Sequence, residues 1–291
     1  MSGWAELFAA DFLLRHALWG AVAVGLFGPL IGAWFTVRRM VLLGVTLPQV
    51  SAAGIAFVFF LHGLGFTWSL HAGEEGDRFL ALLGSLAFTF AAMAALAWLE
   101  RRDDGLKESR LGALYAAAAA ASILFVSANA EGKIELLGLL HGEVVSVTAH
   151  DLHILIAVFL LLAVVLGAFH RQFLLVAFDR ESAAVMGKNV LLWDLLFYVV
   201  AGTAMSIAVL ITGPSLTFAA LVIPPLATRP FCRRMPAFLV SSSLFGGVCA
   251  LVGFKLSYAY DLPLGPAIVA LSAGTLALLH AGRALYRGML K

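Results

Sequence analysis

Charged residues are scarce in this chain of 291 residues: Asp, Glu, Lys and Arg together make up 12% of it, whereas a soluble domain carries roughly 25%. Hydrophobic residues account for 62%. The net charge is only +2, so the chain lacks the basic field that attracts nucleic acid, and we expect no nucleic-acid partner. The composition predicts a protein embedded in a lipid bilayer.

Cysteines and basic N-terminal residues are also few. Cys232 lies in a basic loop and Cys249 in an apolar run, a pattern that supports neither a disulfide framework nor a metal finger. Glu6 and Asp11 precede the first apolar run where a signal peptide has basic residues, so we predict no cleaved signal peptide.

Motifs for nucleotide hydrolysis are missing. A phosphate-binding P-loop requires Ser or Thr after its Gly-Lys pair, but the two Gly-Lys pairs of this chain are followed by Ile134 and Asn189. A nucleophile elbow and a metalloprotease helix are missing too. We therefore expect a chain that is not an enzyme and binds no cofactor; if it transports with ATP, the ATP is bound by a partner ATPase.

Long apolar runs, in contrast, fill the sequence. Crossing a membrane takes about 20 apolar residues, and we predict candidate spans at 13–36, 41–62, 79–99, 111–128, 153–169, 191–211, 215–228, 238–256 and 265–282. The run 215–228 is short and contains Pro224-Pro225, so we interpret it as a broken or re-entrant segment buried among its neighbours. The predicted fold is an all-α polytopic membrane protein with a bundle of about 8–9 transmembrane helices, in a single domain over residues 1–291.

Lys and Arg residues are distributed unevenly between the two sides of this bundle. Fifteen of the 19 follow the odd-numbered spans, and the other side holds Arg15, Arg78, Lys133 and Lys255. Basic residues accumulate in cytoplasmic loops. The predicted topology is multi-pass in the plasma (inner) membrane, with the N-terminus outside and the C-terminus in the cytoplasm.

Small residues predict close helix packing. Gly28 and Gly32 are spaced one helical turn apart, Ala116–Ala121 is an unbroken alanine run, and Gly246-Gly247 interrupts the eighth predicted span. Such residues let helix backbones approach one another in lipid.

A polar stretch, Asp179 to Lys188, separates two long apolar runs on the predicted cytoplasmic side. Asp179 can cap a helix, Glu181 suits the positive end of its dipole, and Gly187 can end it. Two interpretations are open: a docking surface for a partner that moves the membrane helices, or an ordinary loop helix.

The second predicted span contains Thr46, Gln49 and Ser51 in apolar surroundings. Pro48 frees the carbonyl of Gly44 from its helical hydrogen bond, and the resulting kink can direct polar groups into a cavity. These side chains either line a transport path or bond to neighbouring helices.

Polar residues that include metal-ligand types gather at the predicted outer ends of the spans. The candidate set is His141, Glu143, His150, Asp151 and His153, and Asp261 is a further polar residue on the outer side. Neutral imidazole binds zinc and similar ions. The set is either an outer landing site or a scatter of surface residues.

Four segments, taken in order, carry a family resemblance. They are Arg38-Arg39-Met40 with Gly44-x-Thr46-Leu47; Gly142 to Asp151; Asp179-x-Glu181-x-Ala183-x-x-x-Gly187; and Thr217 to Arg229 with Tyr260-Asp261-x-Pro263-x-Gly265-Pro266. Over roughly residues 36–275 the chain resembles the permeases of the zinc, manganese and iron ABC importers, the ABC-3 class. Their type II importer fold is related to that of vitamin B12 and siderophore permeases.

The resemblance implies an importer of divalent transition metals. It implies two permease copies around one central path, two ABC ATPase subunits and an extracytoplasmic solute-binding protein. It also makes the set Asp179, Glu181, Ala183 and Gly187 the contact through which the ATPase is coupled to the bundle.

One departure affects the cargo. The family pattern in the second span is Gly-Asp-x-Leu-x-His, where this chain has Val45 and Gln49 in place of Asp and His. A carboxylate and an imidazole four residues apart share one helix face and can hold a divalent metal. Val45 supplies no ligand and Gln49 only a weak amide oxygen, so the metal ligands are unknown.

This departure leaves several alternatives open. Ligands come from elsewhere in the chain, or the same fold carries another cargo, such as a metal chelate or a non-metal. An ion-coupled secondary transporter is a further alternative, but intramembrane carboxylates are its usual coupling groups. Among Asp and Glu only Asp194 comes near that position, and it lies close to a predicted cytoplasmic end.

Overall fold

A computed structural model describes Leu7, Phe12 and residues 14–64, 74–100, 107–128 and 147–289. These ranges are almost entirely helical and contain no β-strand. The α-helices, numbered in chain order, are α1 Arg15–Val37, α2 Leu43–Gly63, α3 Glu74–Glu100, α4 Lys107–Ala128, α5 Ala149–Ala168, α6 His170–Phe178, α7 Arg180–Val185, α8 Val190–Thr228, α9 Met235–Tyr260 and α10 Leu264–Met289.

Eight helices of the described ranges are long and apolar enough to cross a membrane. They are α1 to α5 and α8 to α10, and they cover the predicted spans. The short helices α6 and α7 lie between α5 and α8. The prediction of an all-α polytopic membrane bundle is confirmed.

Helix α8 consists of two limbs that meet at Gly213, where φ is 75° and ψ is 165°. This backbone conformation is open almost only to glycine. The first limb runs antiparallel to α1, because Asp194 pairs with Arg38 at the end of α1 and Ile211 lies beside Gly20 near its start.

The second limb, residues 214–228, runs back in the same direction as α1. Ala220 lies against Gly28, and Leu221 lies against Gly32. At 1.5 Å per residue the limb is about 22 Å long, which is shorter than the hydrocarbon core of roughly 30 Å. The predicted short segment therefore exists as a buried helix that folds back beside the first limb.

The break lies between the predicted runs 191–211 and 215–228. Pro224 and Pro225 lie inside the second limb, where the Thr228 hydroxyl donates a hydrogen bond to the Pro224 carbonyl at 2.9 Å. The chain reverses at Gly213, and Pro214 opens the second limb, where a helix needs no backbone N–H donor.

Helix α1 packs backbone to backbone against α8 and α9. A Cβ atom added at Gly25 would lie 2.7 Å from the carbonyl oxygen of Gly246, and one added at Gly32 would lie 1.7 Å from that of Leu221. At Gly28 the nearest atom is the Cβ of Ala220, at 3.2 Å. The predicted close packing at Gly28, Gly32 and Gly246 is confirmed.

Candidate functional site

The start of α7 is fixed by its capping residue. One oxygen of the Asp179 carboxylate accepts the Ser182 backbone N–H at 2.9 Å, and the other accepts the Ser182 hydroxyl. These hydrogen bonds, that of the hydroxyl first, hold the pKa of Asp179 below its usual value. Because the pKa of Asp179 is lowered in the folded protein, the cap contributes its full stability at pH values above the usual pKa of an aspartate. That stability is lost as the pH falls through the lowered pKa of Asp179, so α7 is capped at neutral pH.

The other end of α7 is closed by a Schellman motif. Gly187 has a φ of 73°, its N–H donates to the Ala184 carbonyl at 3.0 Å, and the Lys188 N–H donates to the Ala183 carbonyl at 3.0 Å. Glycine suits this left-handed position because it has no Cβ. The capped helix predicted between Asp179 and Lys188 is therefore present, defined at both ends by residues the sequence indicated.

The surface of α7 and its flanks is more apolar than the sequence analysis anticipated. Ala183 is fully buried and anchors the helix, whereas Val185 is 88% exposed, Met186 67% and Phe178 71%. Glu181 is exposed beside them. These three apolar residues are not among the predicted contact residues; the sequence signal for them was apolar Val185-Met186 at the end of an otherwise polar stretch.

The elements on either side of α7 meet at an aromatic cluster. Phe173 of α6 is buried against Trp34 of α1 and Trp193 of α8, with ring centroids 5.9 and 5.7 Å away. Phe197 of α8 packs edge-on against Phe35 of α1 at 5.6 Å and against Phe173 at 6.0 Å. We call Trp34, Phe35, Phe173, Trp193 and Phe197 the inner aromatic cluster.

A buried ion pair lies against this cluster. An Nη atom of Arg38 donates to a carboxylate oxygen of Asp194 at 2.8 Å, and the two side chains are only 5% and 10% exposed. The guanidinium carbon of Arg38 lies 4.1 Å from the centre of the Phe197 ring. Arg38 caps the end of α1, so the ion pair ties α1 to the start of α8.

The polar residues of the second span bond to neighbouring helices. The buried Thr46 hydroxyl lies 2.9 Å from the Leu42 carbonyl and 3.2 Å from the Leu111 carbonyl of α4. The Ser51 hydroxyl lies 2.5 Å from that of Ser85 in α3. These contacts fit the interpretation of helix-bonded side chains, and a place for Thr46 and Ser51 in a transport path stays a prediction.

Gln49 differs from these two because it stays partly exposed. Its side-chain amide donates to the Ser122 hydroxyl of α4 at 3.2 Å. Val45, one turn earlier, is also partly exposed. The two positions where the family pattern has Asp and His therefore keep accessible surface in the single chain.

Two residues of the predicted outer set have defined structural partners. Asp151 and Thr148 form a reciprocal capping box at the start of α5, and Arg78 of α3 donates to the same Asp151 carboxylate. Asp261 ends α9 in a left-handed conformation with a φ of 53°. His150 and His153 are exposed, whereas His141 and Glu143 lie outside the described residues.

Among the residues that the structure describes, no three His, Cys, Asp or Glu side chains come together as a metal site. The outer landing site therefore stays a prediction.

Curated transport proteins match most of the chain. It is 25% identical over 257 residues to the manganese transport system membrane protein MntC of Listeria monocytogenes, which covers 88% of this chain and 85% of the relative. It is 24% identical over 264 residues to the manganese import system permease protein ScaB of Streptococcus gordonii, at 90% and 89% coverage.

Solved structures share the fold. PsaBC from Streptococcus pneumoniae in complex with Fab superposes with a TM-score of 0.77 at 21% identity, over 93% of this chain and 91% of that one. The family model of the ABC 3 transport family matches residues 10–281. This chain is a member of the ABC 3 transport family.

Proposed function

We propose that this chain is the membrane permease subunit of an ATP-driven importer whose cargo is a divalent transition-metal ion or its complex. The observation that carries the proposal is α7: a helix with caps at both ends, anchored by buried Ala183 and surrounded by exposed Phe178, Val185 and Met186. An exposed apolar surface on a defined helix is typical of a partner contact. The names of the relatives, manganese import permeases, support the same function.

The proposed partner at α7 is an ABC ATPase subunit that carries the ATP. A helix of this kind transmits force because its caps and its anchor fix its orientation relative to the bundle. Closure of two ATPase subunits would then tip the bundle between outward-open and inward-open states. The N-terminus lies outside and an extracytoplasmic solute-binding protein delivers the cargo on that side, in keeping with the distribution of Lys and Arg.

A second copy of the chain completes the proposed transport path. The first half of the exposed face of α4 consists mostly of small residues, namely Gly112, Ala113, Ala116, Ala117 and Ala120, with Tyr115 beside them. Small residues favour helix–helix contact over lipid contact. Gln49 bonds to α4 and stays partly exposed, which supports its place beside a path between two copies.

The side chains of the second span favour a chelated metal as an alternative cargo. Val45 and Gln49 have accessible surface but offer no strong ligand for a bare divalent ion. A metal that arrives with its own ligands does not need protein carboxylate and imidazole groups at these positions.

The ATPase contact is tested by Val185→Asp. Because Val185 is 88% exposed, the change leaves the fold intact but places a charge in the proposed contact. Losing a central interface residue costs about 2 kcal/mol or more, roughly a thirtyfold loss of affinity. We expect the ATPase to be lost during co-purification and ATP-driven Mn²⁺ uptake by reconstituted vesicles to fall with it.

The matched control is Phe231→Asp, the same kind of change at an exposed apolar residue in the 3₁₀ turn Arg229–Phe231. It should keep the ATPase bound. Full uptake by the Val185→Asp complex contradicts the contact. Gradient-driven uptake by the chain alone contradicts the proposed function and supports a secondary transporter.

The cargo is tested by Val45→Asp combined with Gln49→His. Because the positions lie one turn apart on one helix, the new carboxylate and imidazole share a face. We expect the double variant to bind Mn²⁺ or Zn²⁺ at least about tenfold more tightly than wild type, with Gln49→His alone intermediate, as titration calorimetry would measure. Strong Zn²⁺ binding by wild type that is lost in Gln49→Leu would show that the chemical argument is wrong.

A further inference from the structure

The inner aromatic cluster and the Arg38–Asp194 pair form a continuous set of contacts between three helices. Helix α6 contributes Phe173, the start of α8 contributes Asp194 and Phe197, and the end of α1 contributes Arg38. Helix α7 lies in the chain between α6 and α8. Both connections of α7 to the membrane bundle therefore lead to the same cluster.

The side chains of the inner aromatic cluster are packed so closely that they are expected to move together. Phe173 and Phe197 are fully buried, and each contacts aromatic rings of both α1 and α8. Close-packed side chains have low compressibility and transmit displacement. A displacement of α7 therefore reaches α6 and the start of α8 together.

The ion pair carries this displacement on to α1. The Arg38 guanidinium is held on two sides, by the Asp194 carboxylate at 2.8 Å and by the face of the Phe197 ring at 4.1 Å. A charge-assisted hydrogen bond adds geometric specificity to this packing. The pair thereby fixes the register between the end of α1 and the start of α8.

Helix α1 passes the motion to the interior of the bundle. Its Gly25 packs on Gly246 of α9, and its Gly32 packs on the backbone of Leu221 in the second limb of α8. With backbones in contact, α1 cannot shift without moving the short second limb. That limb lies buried in the bundle, where it contacts α1, α9 and the first limb.

We propose that Arg38 and Asp194 are positioning residues that couple the ATPase-contacting helix α7 to α1, so that ATP-driven motion reaches the transport path through this ion pair. The inference rests on the proposed function. It adds a specific route through the fold, and it assigns to a buried ion pair a role in energy coupling in addition to stability.

The test uses the double variant Arg38→Gln with Asp194→Asn in the complete complex with its ATPase subunits. Removing both members together avoids leaving either charge of this pair buried without the other, so we expect the fold to be retained. In reconstituted vesicles we expect ATP hydrolysis within about twofold of wild type, but Mn²⁺ taken up per ATP hydrolysed to fall about tenfold, within the usual range of coupling between sites. If the ion pair had only a structural role, the rates of ATP hydrolysis and of Mn²⁺ uptake would both fall in proportion to the amount of folded complex. The amount of Mn²⁺ taken up per ATP hydrolysed would then be unchanged.

A second measurement does not depend on the cargo. Hydrogen–deuterium exchange of the peptide covering residues 34–42 is compared with and without ATP and vanadate. In wild type we expect trapped nucleotide to change exchange in this peptide; in the double variant we expect the change to be confined to α7 and α6. Phe197→Leu, which removes the ring under Arg38 but keeps the ion pair, should give an intermediate effect.

The outcomes separate the two proposals. An unchanged ratio of uptake to hydrolysis, or the same nucleotide-dependent exchange in wild type and double variant, overturns the coupling role. A wild-type chain that retains no ATPase overturns the proposed function, and the coupling role with it. If the wild-type complex hydrolyses ATP without moving Mn²⁺, the exchange measurement alone decides the coupling role.

Discussion

Gly32→Ala is expected to prevent normal assembly of the bundle. The added methyl group would lie 1.7 Å from the carbonyl oxygen of Leu221 and 2.6 Å from its carbonyl carbon. Both are backbone atoms, so no side-chain rotation relieves the clash, and α1 must separate from the second limb of α8. Overpacking costs about 1–3 kcal/mol even where side chains can adjust, and this position should exceed that range.

The effect is measured by thermal unfolding and by the monodisperse fraction after detergent extraction. Gly274→Ala, in the middle of α10, is the matched control, because an alanine methyl there meets no atom within 4 Å. Alanine is favoured over glycine in a helix by about 1 kcal/mol, so this control should be neutral or slightly stabilising. A Gly32→Ala protein with wild-type thermal stability would contradict the packing of the second limb on α1.

The parts of the fold that the sequence predicted are those with a local physical cause. Spans follow from the length of apolar runs, because a bilayer of fixed thickness requires them. The caps of α7 follow from Asp179 and Gly187, whose side-chain and backbone chemistry acts within a few residues. The close approach at Gly28 and Gly32 follows from small residues one turn apart.

The parts that the sequence did not predict depend on partners far along the chain. In a sequence this apolar, polarity does not distinguish the lipid-facing side of a helix from the buried side. The sequence therefore could not indicate that Ser51 pairs with Ser85 while Gln49 stays partly exposed. Arg38 and Asp194 are 156 residues apart, and no feature of the sequence connects a basic residue at the inner end of one span with a carboxylate near the inner end of another.

The reversal of α8 lies in the gap between the predicted runs 191–211 and 215–228. Proline is a strong helix breaker in a soluble protein, but Pro224-Pro225 does not end the helix here. Pro224 and Pro225 remove the backbone hydrogen bonds to the carbonyls of Ala220 and Leu221, four residues earlier, yet the segment stays helical through Thr228. The reversal instead requires a positive φ, which Gly213 adopts without strain.

Asp194→Asn alone is expected to destabilise the protein far more than the double change with Arg38→Gln. The single change leaves the Arg38 guanidinium, 5% exposed, without the opposite charge at 2.8 Å. Breaking a buried ion pair from one side costs about 3–5 kcal/mol because it leaves an uncompensated buried charge, which the double change avoids. Arg38→Gln alone should be comparably destabilising, since it leaves the Asp194 carboxylate buried.

Thermal unfolding is measured for four proteins: wild type, Arg38→Gln, Asp194→Asn and the double variant. Together the four values give a double-mutant cycle. We expect a coupling energy of at least about 2 kcal/mol, because residues in direct contact within one buried network do not add independently. As a matched control, Asp194→Glu keeps the charge and should recover most of the stability lost in Asp194→Asn. Additive single effects would mean that the pair contributes no joint stabilisation, and the register between α1 and α8 would then depend on the aromatic rings alone. A large coupling energy, together with a stable double variant that moves less cargo per ATP, would separate the contribution of the pair to folding from its contribution to energy coupling.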